Sequence, residues 1–323
     1  MRDGAGLVDR ARTGRILLTG ADRRAYLQGL LTNNIEALRP GTGCYAAMLT
    51  AQGRMMTDMR VLELGDAILL GVPAQVEPAI REHLDRFVFT EDVKVEGVTD
   101  MRGEIGLYGP RAIDILAAAG MEGAAPAALF ATARGRLAGR DVIVVRSDEP
   151  GIDGFDVLAN APDMNAIEAA LVAAGAVATT EADVEAVRIE SGRPRFGADL
   201  DTDTIPLEAG LEDRAISRTK GCYVGQEVIV RVIDRGRGRV ARRLVGLTFL
   251  AAAPIPEPGA RLSAGGKDIG RVTSATFSPA LARPIALGYV LRDFAEAGTQ
   301  VEVDGSGEAL VGALPLVHVA SLQ

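Results

Sequence analysis

The chain has 323 residues, which is enough for about two domains of ordinary size. Apolar residues make up 48% of it and charged residues 24%, as in an average soluble protein, and no apolar run reaches the length of a membrane span. The net charge of −8 argues against non-specific adhesion to nucleic acid. Composition therefore excludes a membrane protein and predicts a soluble globular one.

The amino terminus and the cysteines indicate the compartment. The first fifteen residues, MRDGAGLVDRARTGR, contain no apolar stretch behind their charges, so we expect no secretory signal and a cytoplasmic location. Two cysteines, Cys44 and Cys222, and two histidines, His83 and His318, lie far apart without ligand-like spacing. We expect no metal site built from this chain alone and no membrane partner.

The first 175 residues alternate short strands with helices. Period-two patterns and turn residues predict strands at 16–19, 44–49, 55–63, 67–72, 93–98, 104–109, 141–146 and 154–159. Apolar stripes predict helices over 22–35, 73–88, 110–120 and 163–174. Hairpin strands separated by helices favour an α+β fold with antiparallel sheets over a doubly wound parallel sheet.

From about residue 244 the helical period disappears. Short strands follow one another there, separated by Gly-Gly, Pro and Asp-Gly turns. This pattern is typical of a small antiparallel barrel or sandwich, and we place the boundary of the second domain near Arg243.

Residues 180–231 are the most informative part of the sequence. Thr180 is a candidate helix cap, and Gly192 lies just past the end of the helix, so Glu190 falls in its last turn. A carboxylate there opposes the helix dipole by about 1 kcal/mol at most. Either Arg188 and Arg193 neutralise Glu190, or it is held for a ligand.

The run RIESGRPRFGADLDTDTIPLEAGL (188–211) resembles the signature of the aminomethyltransferase (glycine cleavage T-protein) superfamily. The run KGCYVGQE (220–227) is similar to the hallmark of one branch, the YgfZ-type folate-binding proteins linked to iron-sulfur enzyme maturation. The resemblance implies tetrahydrofolate as cofactor. With it we expect two ferredoxin-like α+β units within residues 1–243, one at about 45–135 and the other formed by 1–44 with 136–243, followed by a β-barrel at 244–323.

Carried over by the resemblance, Glu190 matches the glutamate that binds the pterin ring, whose two adjacent N–H donors suit one carboxylate. Asp58 matches the second of two consecutive acidic residues near the folate amines, and Thr57 replaces the first, which counts against a transferase's proton shuttle. From the residues alone, Asp58 and Arg60 could equally form a solvated ion pair on one strand face. We assign Asp58 to the catalytic site.

Cys222 lies in a setting that favours a reactive thiol. Lys220 and Arg218 lie just upstream, and nearby cations favour the thiolate. We assign Cys222 to the catalytic site and Arg188, Arg218 and Lys220, with Glu190, to the cofactor site. The thiolate could ligate a cluster with outside ligands, attack an electrophile or form a mixed disulfide, and the sequence does not choose among these.

An arginine run follows the cysteine motif. Residues 231–243 contain six arginines and one aspartate. The run is either a solvated face or a docking surface for a folate polyglutamate tail, an acidic partner or tRNA, the last through Arg231, Arg235, Arg237 and Arg239.

Three functions fit the sequence. The first is a tetrahydrofolate-binding accessory factor whose partners are iron-sulfur client enzymes or assembly proteins. The second is an aminomethyltransferase that moves a one-carbon unit to tetrahydrofolate. The third is an RNA-binding or tRNA-modification accessory protein, which the acidic total and the scarce aromatic residues do not favour.

Overall fold

The computed structural model describes residues 1–236 and 238–318, without the side chain of Arg235. Its strands form two sheets and a closed barrel. The strands are, in chain order, β1 (Gly6–Asp9), β2 (Thr13–Thr19), β3 (Thr42–Leu49), β4 (Met55–Glu63), β5 (Ile68–Pro73), β6 (Lys94–Gly97), β7 (Arg102–Tyr108), β8 (Thr132–Leu137), β9 (Arg140–Ser147), β10 (Gly154–Asn160), β11 (Val177–Ala178), β12 (Arg242–Phe249), β13 (Arg261–Ala264), β14 (Lys267–Ser278), β15 (Arg283–Leu291), β16 (Gln300–Val303) and β17 (Gly307–Gly312). The helices are α1 (Arg23–Leu30), α2 (Glu77–Arg86), α3 (Ala112–Ala118), α4 (Met164–Ala173), α5 (Glu181–Glu190), α6 (Glu212–Ala215) and α7 (Gln226–Val230), which a short π-helical turn continues.

The first sheet has the strand order β3-β4-β5-β2-β6, and its neighbouring strands are antiparallel. Strand alternation separates its two faces. On β4, Met59 and Val61 pack beneath α1 and α2, whereas Arg60 and Leu62 point to the opposite side. Both faces of the sheet are therefore covered.

The second sheet has the order β11-β1-β7-β10-β9-β8 and is antiparallel except for the pairing of β1 with β11. Its apolar face, which includes Leu107, Phe155 and Val157, packs against α3 and α4. The other face meets the first sheet. Leu62 and Leu69 from the first sheet form one apolar cluster with Val145 and Leu158 from the second.

A network of buried charges crosses the interface between the two sheets. Arg60 on β4 contacts Glu104 on β7 (Nη2–Oε1 2.7 Å) and also pairs with Asp156 on β10. Arg10 and Arg15 add contacts of 3.3 and 3.2 Å to Glu104. Burial alone would raise the pKa of Glu104, but the three guanidinium groups lower it to about 2, so this carboxylate stays ionised.

The barrel closes in the order β12-β15-β14-β13-β16-β17. It joins the rest of the chain through a shared apolar core, in which Ile285 and Leu287 of β15 meet Ile189 of α5 and Leu49 of β3. Arg188 adds a polar link, because it donates to Ser274 of β14 at 2.8 Å. Helix α5 is thereby fixed between the barrel and the sheets.

The structure confirms the α+β class, the antiparallel sheets and the C-terminal barrel. The capping box at Thr180 that starts α5 is also present. The strand pairing differs from the expected grouping, since β2 joins β3–β6 in one sheet and β7 joins β8–β10 in the other. Long-range pairing of this kind leaves no local sequence signal. The domain boundaries near 44, 135 and 243 stay predictions.

The charge network predicts a large cost for losing Arg60. Arg60→Ala leaves the buried carboxylates of Glu104 and Asp156 short of a partner, so we expect a loss of about 3–5 kcal/mol in the free energy of unfolding. Arg134→Ala, which breaks an exposed pair with Asp66 and a 3.4 Å hydrogen bond to the carbonyl oxygen of Leu64, is the control, with an expected change of about 0–1 kcal/mol. Urea denaturation measures both, and equal effects would contradict the role given to the network.

Candidate active site

A cavity of about 650 Å³ opens beside the charge network. Its walls come from β4 and β5, from the start of α5, from the turn between β1 and β2, and from the segment that follows α5. The volume is within the range of small-molecule sites. Its charged lining contains Asp9, Arg10, Arg12, Asp58, Arg60, Glu149, Glu181, Glu185, Arg188, Arg193, Arg195 and Arg214.

Asp58 has one carboxylate oxygen that is satisfied and one that is not. Tyr45 donates its hydroxyl to Oδ2 at 2.5 Å, whereas Oδ1 is buried and lacks a hydrogen-bond partner in the described residues. A buried, unpaired oxygen costs about 1–3 kcal/mol, and the cost disappears when a ligand donor fills the position. Because Asp58 lines the cavity, Oδ1 is a ready acceptor for such a donor.

The protonation of Asp58 suits proton transfer near neutral pH. Burial raises the pKa of its carboxyl group to about 6, against the opposing effects of the Tyr45 hydrogen bond and of Arg214. A carboxyl group that titrates near the working pH can both accept and return a proton. The structure thus corrects the alternative of a solvated Asp58–Arg60 pair, because Arg60 is buried and binds Glu104 and Asp156 instead.

Positive charge exceeds negative charge along one wall. Arg214 binds Asp148 through both guanidinium branches, at 2.6 and 2.8 Å, and Arg193 pairs with the same carboxylate. Two guanidinium groups therefore share one carboxylate. Arg214 also lies over the Tyr45 ring, 5.1 Å from its centroid, which fixes the tyrosine beside Asp58.

Arg188 lines the cavity, but its guanidinium is already engaged. It binds Asp199 at 2.6 Å, Glu185 at 2.5 Å and the hydroxyl of Ser274. These contacts hold α5 on the barrel. The role of Arg188 in cofactor binding stays a prediction.

Glu190 lies outside the cavity lining. Its buried carboxylate accepts from the hydroxyl of Ser278, from the backbone N–H of Ala280 at 3.3 Å and from Arg2. Of the two alternatives for Glu190, neutralisation by Arg188 and Arg193 is wrong, since those two side chains bind other carboxylates. The structure does not bring Glu190 and Asp58 to one cavity wall, and the pterin-binding role of Glu190 stays a prediction.

Lys220 anchors the loop that carries Cys222. Its Nζ donates to the carbonyl oxygens of Gln28, Leu31 and Asn33, at 2.5 to 3.0 Å, just where α1 ends. Free carbonyls at a helix C-terminus favour such a cation. Burial lowers the pKa of Lys220 to about 8. These contacts occupy Lys220, and its assignment to the cofactor site stays a prediction.

The same loop displays Cys222 on the surface. Gly225, with φ of +83°, sits against the turn at Thr50, and a Cβ there would lie 2.5 Å from the Thr50 carbonyl oxygen. The anchored loop leaves Cys222 exposed, whereas Cys44 is half-buried and burial raises its pKa to about 12. Arg218 is exposed too, 3.7 Å from Asp213. Neither Cys222 nor Arg218 lines the cavity.

The arginine run is described only in part. Arg231 and Arg239 are exposed, Arg237 lies outside the described residues, and nothing is described of the Arg235 side chain. Among residues 1–236 and 238–318, no cluster of three or more metal-ligating side chains occurs. In the same ranges no helix is long and apolar enough to cross a membrane.

Sequence reasoning missed the other polar groups around Asp58. Tyr45, Glu149 and Arg214 come from three separate segments, and no short motif links them to Asp58. The sequence pattern that could have located this site is the alternation along β4, which puts Asp58 and Arg60 on one face of the strand.

Comparison with known proteins agrees with this architecture. Residues 1–220 match the GCVT N-terminal domain, and residues 242–317 match the glycine cleavage T-protein C-terminal barrel domain. The aminomethyltransferase of Saccharopolyspora erythraea is 32% identical over 98% of this chain and 87% of its own length. That of Geobacillus kaustophilus is 31% identical over 96% and 85%.

A solved structure has the same fold. The crystal structure of glycine cleavage system aminomethyltransferase T from Bartonella henselae superimposes with a TM-score of 0.88 at 26% identity, over 100% of this chain and 89% of that one. The chain is thus an α+β protein that has a C-terminal barrel and, outside the barrel, a cavity lined by charged residues. It belongs to the glycine cleavage T-protein (GCVT) family.

The burial of Asp58 predicts that its charge costs stability. The folded-state pKa is raised from 3.8 to about 6, so the cost develops as pH rises from about 4 through 6 and is complete above that. We expect Asp58→Asn to be more stable than the wild type by about 3 kcal/mol at pH 8 and by little at pH 4. Urea denaturation at both pH values tests this, and a destabilised variant at pH 8 would contradict it.

Proposed function

We propose that this protein binds tetrahydrofolate in the cavity beside Asp58. The observation that carries the proposal is the buried Oδ1 of Asp58, which has no hydrogen-bond partner among the described residues and lines the cavity, where it can accept from a ligand donor. A reduced folate offers N–H donors on its ring system and on the linker that follows it. Family membership and the relatives named aminomethyltransferase support the same ligand class.

The remainder of the cavity suits the other parts of a folate. The half-buried ring of Tyr45 lines it with aromatic surface, which favours contact with flat rings. Arg193 and Arg214 share Asp148, and the surplus positive charge attracts the carboxylates of a glutamate tail. A chain with these groups around one cavity fits an amphipathic dicarboxylate better than a neutral ligand.

The activity that the relatives' names favour is aminomethyl transfer, in which tetrahydrofolate takes up a one-carbon unit from a carrier-bound aminomethyl group. The folate supplies the nitrogen atoms that accept the carbon. In this chain Asp58 would hold or move a proton at Oδ1, and Tyr45 would fix the orientation of its carboxyl group through Oδ2. Thr57, which is fully buried, would leave Asp58 without an acidic sequence neighbour in this step.

A second candidate is favoured by the exposed thiol of Cys222. The anchoring of its loop by Lys220 fixes the position of the thiol on the surface, where a macromolecular partner can reach it. This is the YgfZ-type function, in which the folate-bound protein assists iron-sulfur client enzymes or assembly proteins. Both candidates use the same tetrahydrofolate site, and both fit a cytoplasmic location.

Anaerobic calorimetry with tetrahydrofolate tests the ligand. We expect saturable binding by the wild type, and about tenfold weaker binding by Asp58→Asn, because a charge-assisted hydrogen bond becomes a neutral one. Glu82→Gln, on the exposed face of α2, is the control with unchanged affinity. If the wild type does not bind, the proposal fails.

The same titration with Glu190→Gln decides the role of that residue. A loss equal to that of Asp58→Asn would support the pterin contact that the resemblance implies. Unchanged affinity would restrict Glu190 to its contacts with Ser278 and Arg2.

Complementation separates the two activities. In a strain that lacks this gene, we expect Cys222→Ala to lose the ability to restore iron-sulfur enzyme activity if the second candidate is correct, while Cys44→Ala keeps it. If both variants restore it fully, Cys222 has no part in the mechanism. Formation of methylene-tetrahydrofolate from an aminomethylated carrier by purified Cys222→Ala would then support the transferase.

A further inference from the structure

Glu149 is the member of the charge network that reaches the cavity. The side chains of Glu104 and Asp156 are fully buried between the sheets, whereas that of Glu149 is 42% exposed. Glu149 lines the cavity that Asp58 also lines. Two carboxylates from distant parts of the chain therefore share one cavity.

Two guanidinium groups determine the position of Glu149. Arg10 pairs with its Oε2, and Nε of Arg60 lies 3.6 Å from the same oxygen. Arg60 is two residues from Asp58 and on the same face of β4, so the two side chains are about 7 Å apart along the strand. Gly71, the register partner of Arg60 on β5, keeps that position open, because a Cβ there would lie 3.0 Å from Nη2 of Arg60.

Glu149 completes the charge balance of the network. Its carboxylate, with those of Glu104 and Asp156, matches the three guanidinium groups of Arg10, Arg15 and Arg60. Glu104 and Asp156 are fully buried, whereas Glu149 carries its negative charge to the cavity that Asp58 lines.

We propose that Glu149 is a positioning residue whose fixed charge keeps the Asp58 carboxyl group able to take up a proton from an amine of the bound substrate. The proton leaves a protonated amine nitrogen, which keeps the electron pair of the N–H bond and becomes a neutral amine, and it forms an O–H bond at Oδ1 of the Asp58 carboxylate. Repulsion between the two carboxylates favours this transfer, since it removes one of two like charges. The inference rests on the proposed function only for the identity of the amine.

Groups from several elements act on Asp58. Tyr45 of β3 donates a hydrogen bond to it, and the cation of Arg214 on α6 also favours its ionised form. Burial and the charge of Glu149 favour the protonated form, and together they raise the pKa of Asp58 to about 6. Arg60 lies on the same strand face, but its charge is balanced by the carboxylates that it binds.

Carbon-13 NMR of the full chain, with ¹³C-labelled aspartate carboxyl groups, tests the proposal without any ligand. The Asp58 signal is assigned by its loss in Asp58→Asn. We expect Glu149→Gln to lower the titration midpoint of Asp58 by about half a pH unit or more, because a like charge is removed. Glu149→Asp keeps the charge and restores most of the wild-type midpoint, and the exposed Glu82→Gln leaves it unchanged.

An unchanged midpoint in a folded Glu149→Gln protein overturns the proposal, as does an equal shift in Glu149→Asp. Should Glu149→Gln fail to fold, Glu149→Asp is compared with Arg10→Gln, which keeps the Glu149 charge but frees its carboxylate. We then expect Arg10→Gln to broaden or shift the Asp58 titration, and a wild-type titration overturns the proposal.

The pH dependence of tetrahydrofolate binding separates this inference from the proposed function. If the wild type binds tetrahydrofolate, its affinity should change around pH 6, and Glu149→Gln should move that change to lower pH. If no folate binds but the NMR midpoint shifts as expected, the proposed ligand is wrong and the positioning role of Glu149 stands. If folate binds and the midpoint does not move, the proposed ligand is supported and the positioning role of Glu149 is wrong.

Discussion

The buried pairing of Arg60 with Glu104 and Asp156 is the constraint on which the rest of the structure depends. These groups lie between two sheets that are also joined by apolar contacts, and desolvating them is costly unless every charge is paired. The requirement for pairing fixes how β4 faces β7 and β10. Because β4 also carries Asp58, the same contacts determine where the cavity carboxylate lies.

The cavity lining contains groups of both positive and negative charge. One wall contains surplus arginine charge around Asp148, which suits an anionic part of a ligand. The lining also contains Asp58 and Glu149, and burial together with the charge of Glu149 raises the pKa of Asp58 to about 6. A folate has carboxylates at one end and amine nitrogens at the other, so one ligand can contact both the arginines and Asp58. This arrangement lowers the free energy of unfolding, because a buried carboxylate that titrates near pH 6 opposes folding above that pH.

The cysteine loop is a separate feature of the surface. Lys220 caps the end of α1, and Gly225 fits against the turn at Thr50, so both residues have a structural role in the motif. The exposed thiol of Cys222 has no such role. A rigid loop that displays one thiol is suited to a partner protein, whereas the cavity is suited to a small molecule. Any coupling between the two would pass through the shared core that joins β3, α5 and the barrel.

The sequence by itself determined the local elements and the family. Apolar periodicity predicted most strands and helices, the Thr180 cap predicted the start of α5, and the motif at 188–211 indicated the superfamily, because each of these signals lies within one short segment. Only the tertiary structure decided which carboxylates meet. Glu190 is occupied by Ser278 and Arg2, whereas Glu149 joins Asp58 in the cavity. The physical reason is that charge pairing between sheets depends on long-range strand order, which no local pattern encodes.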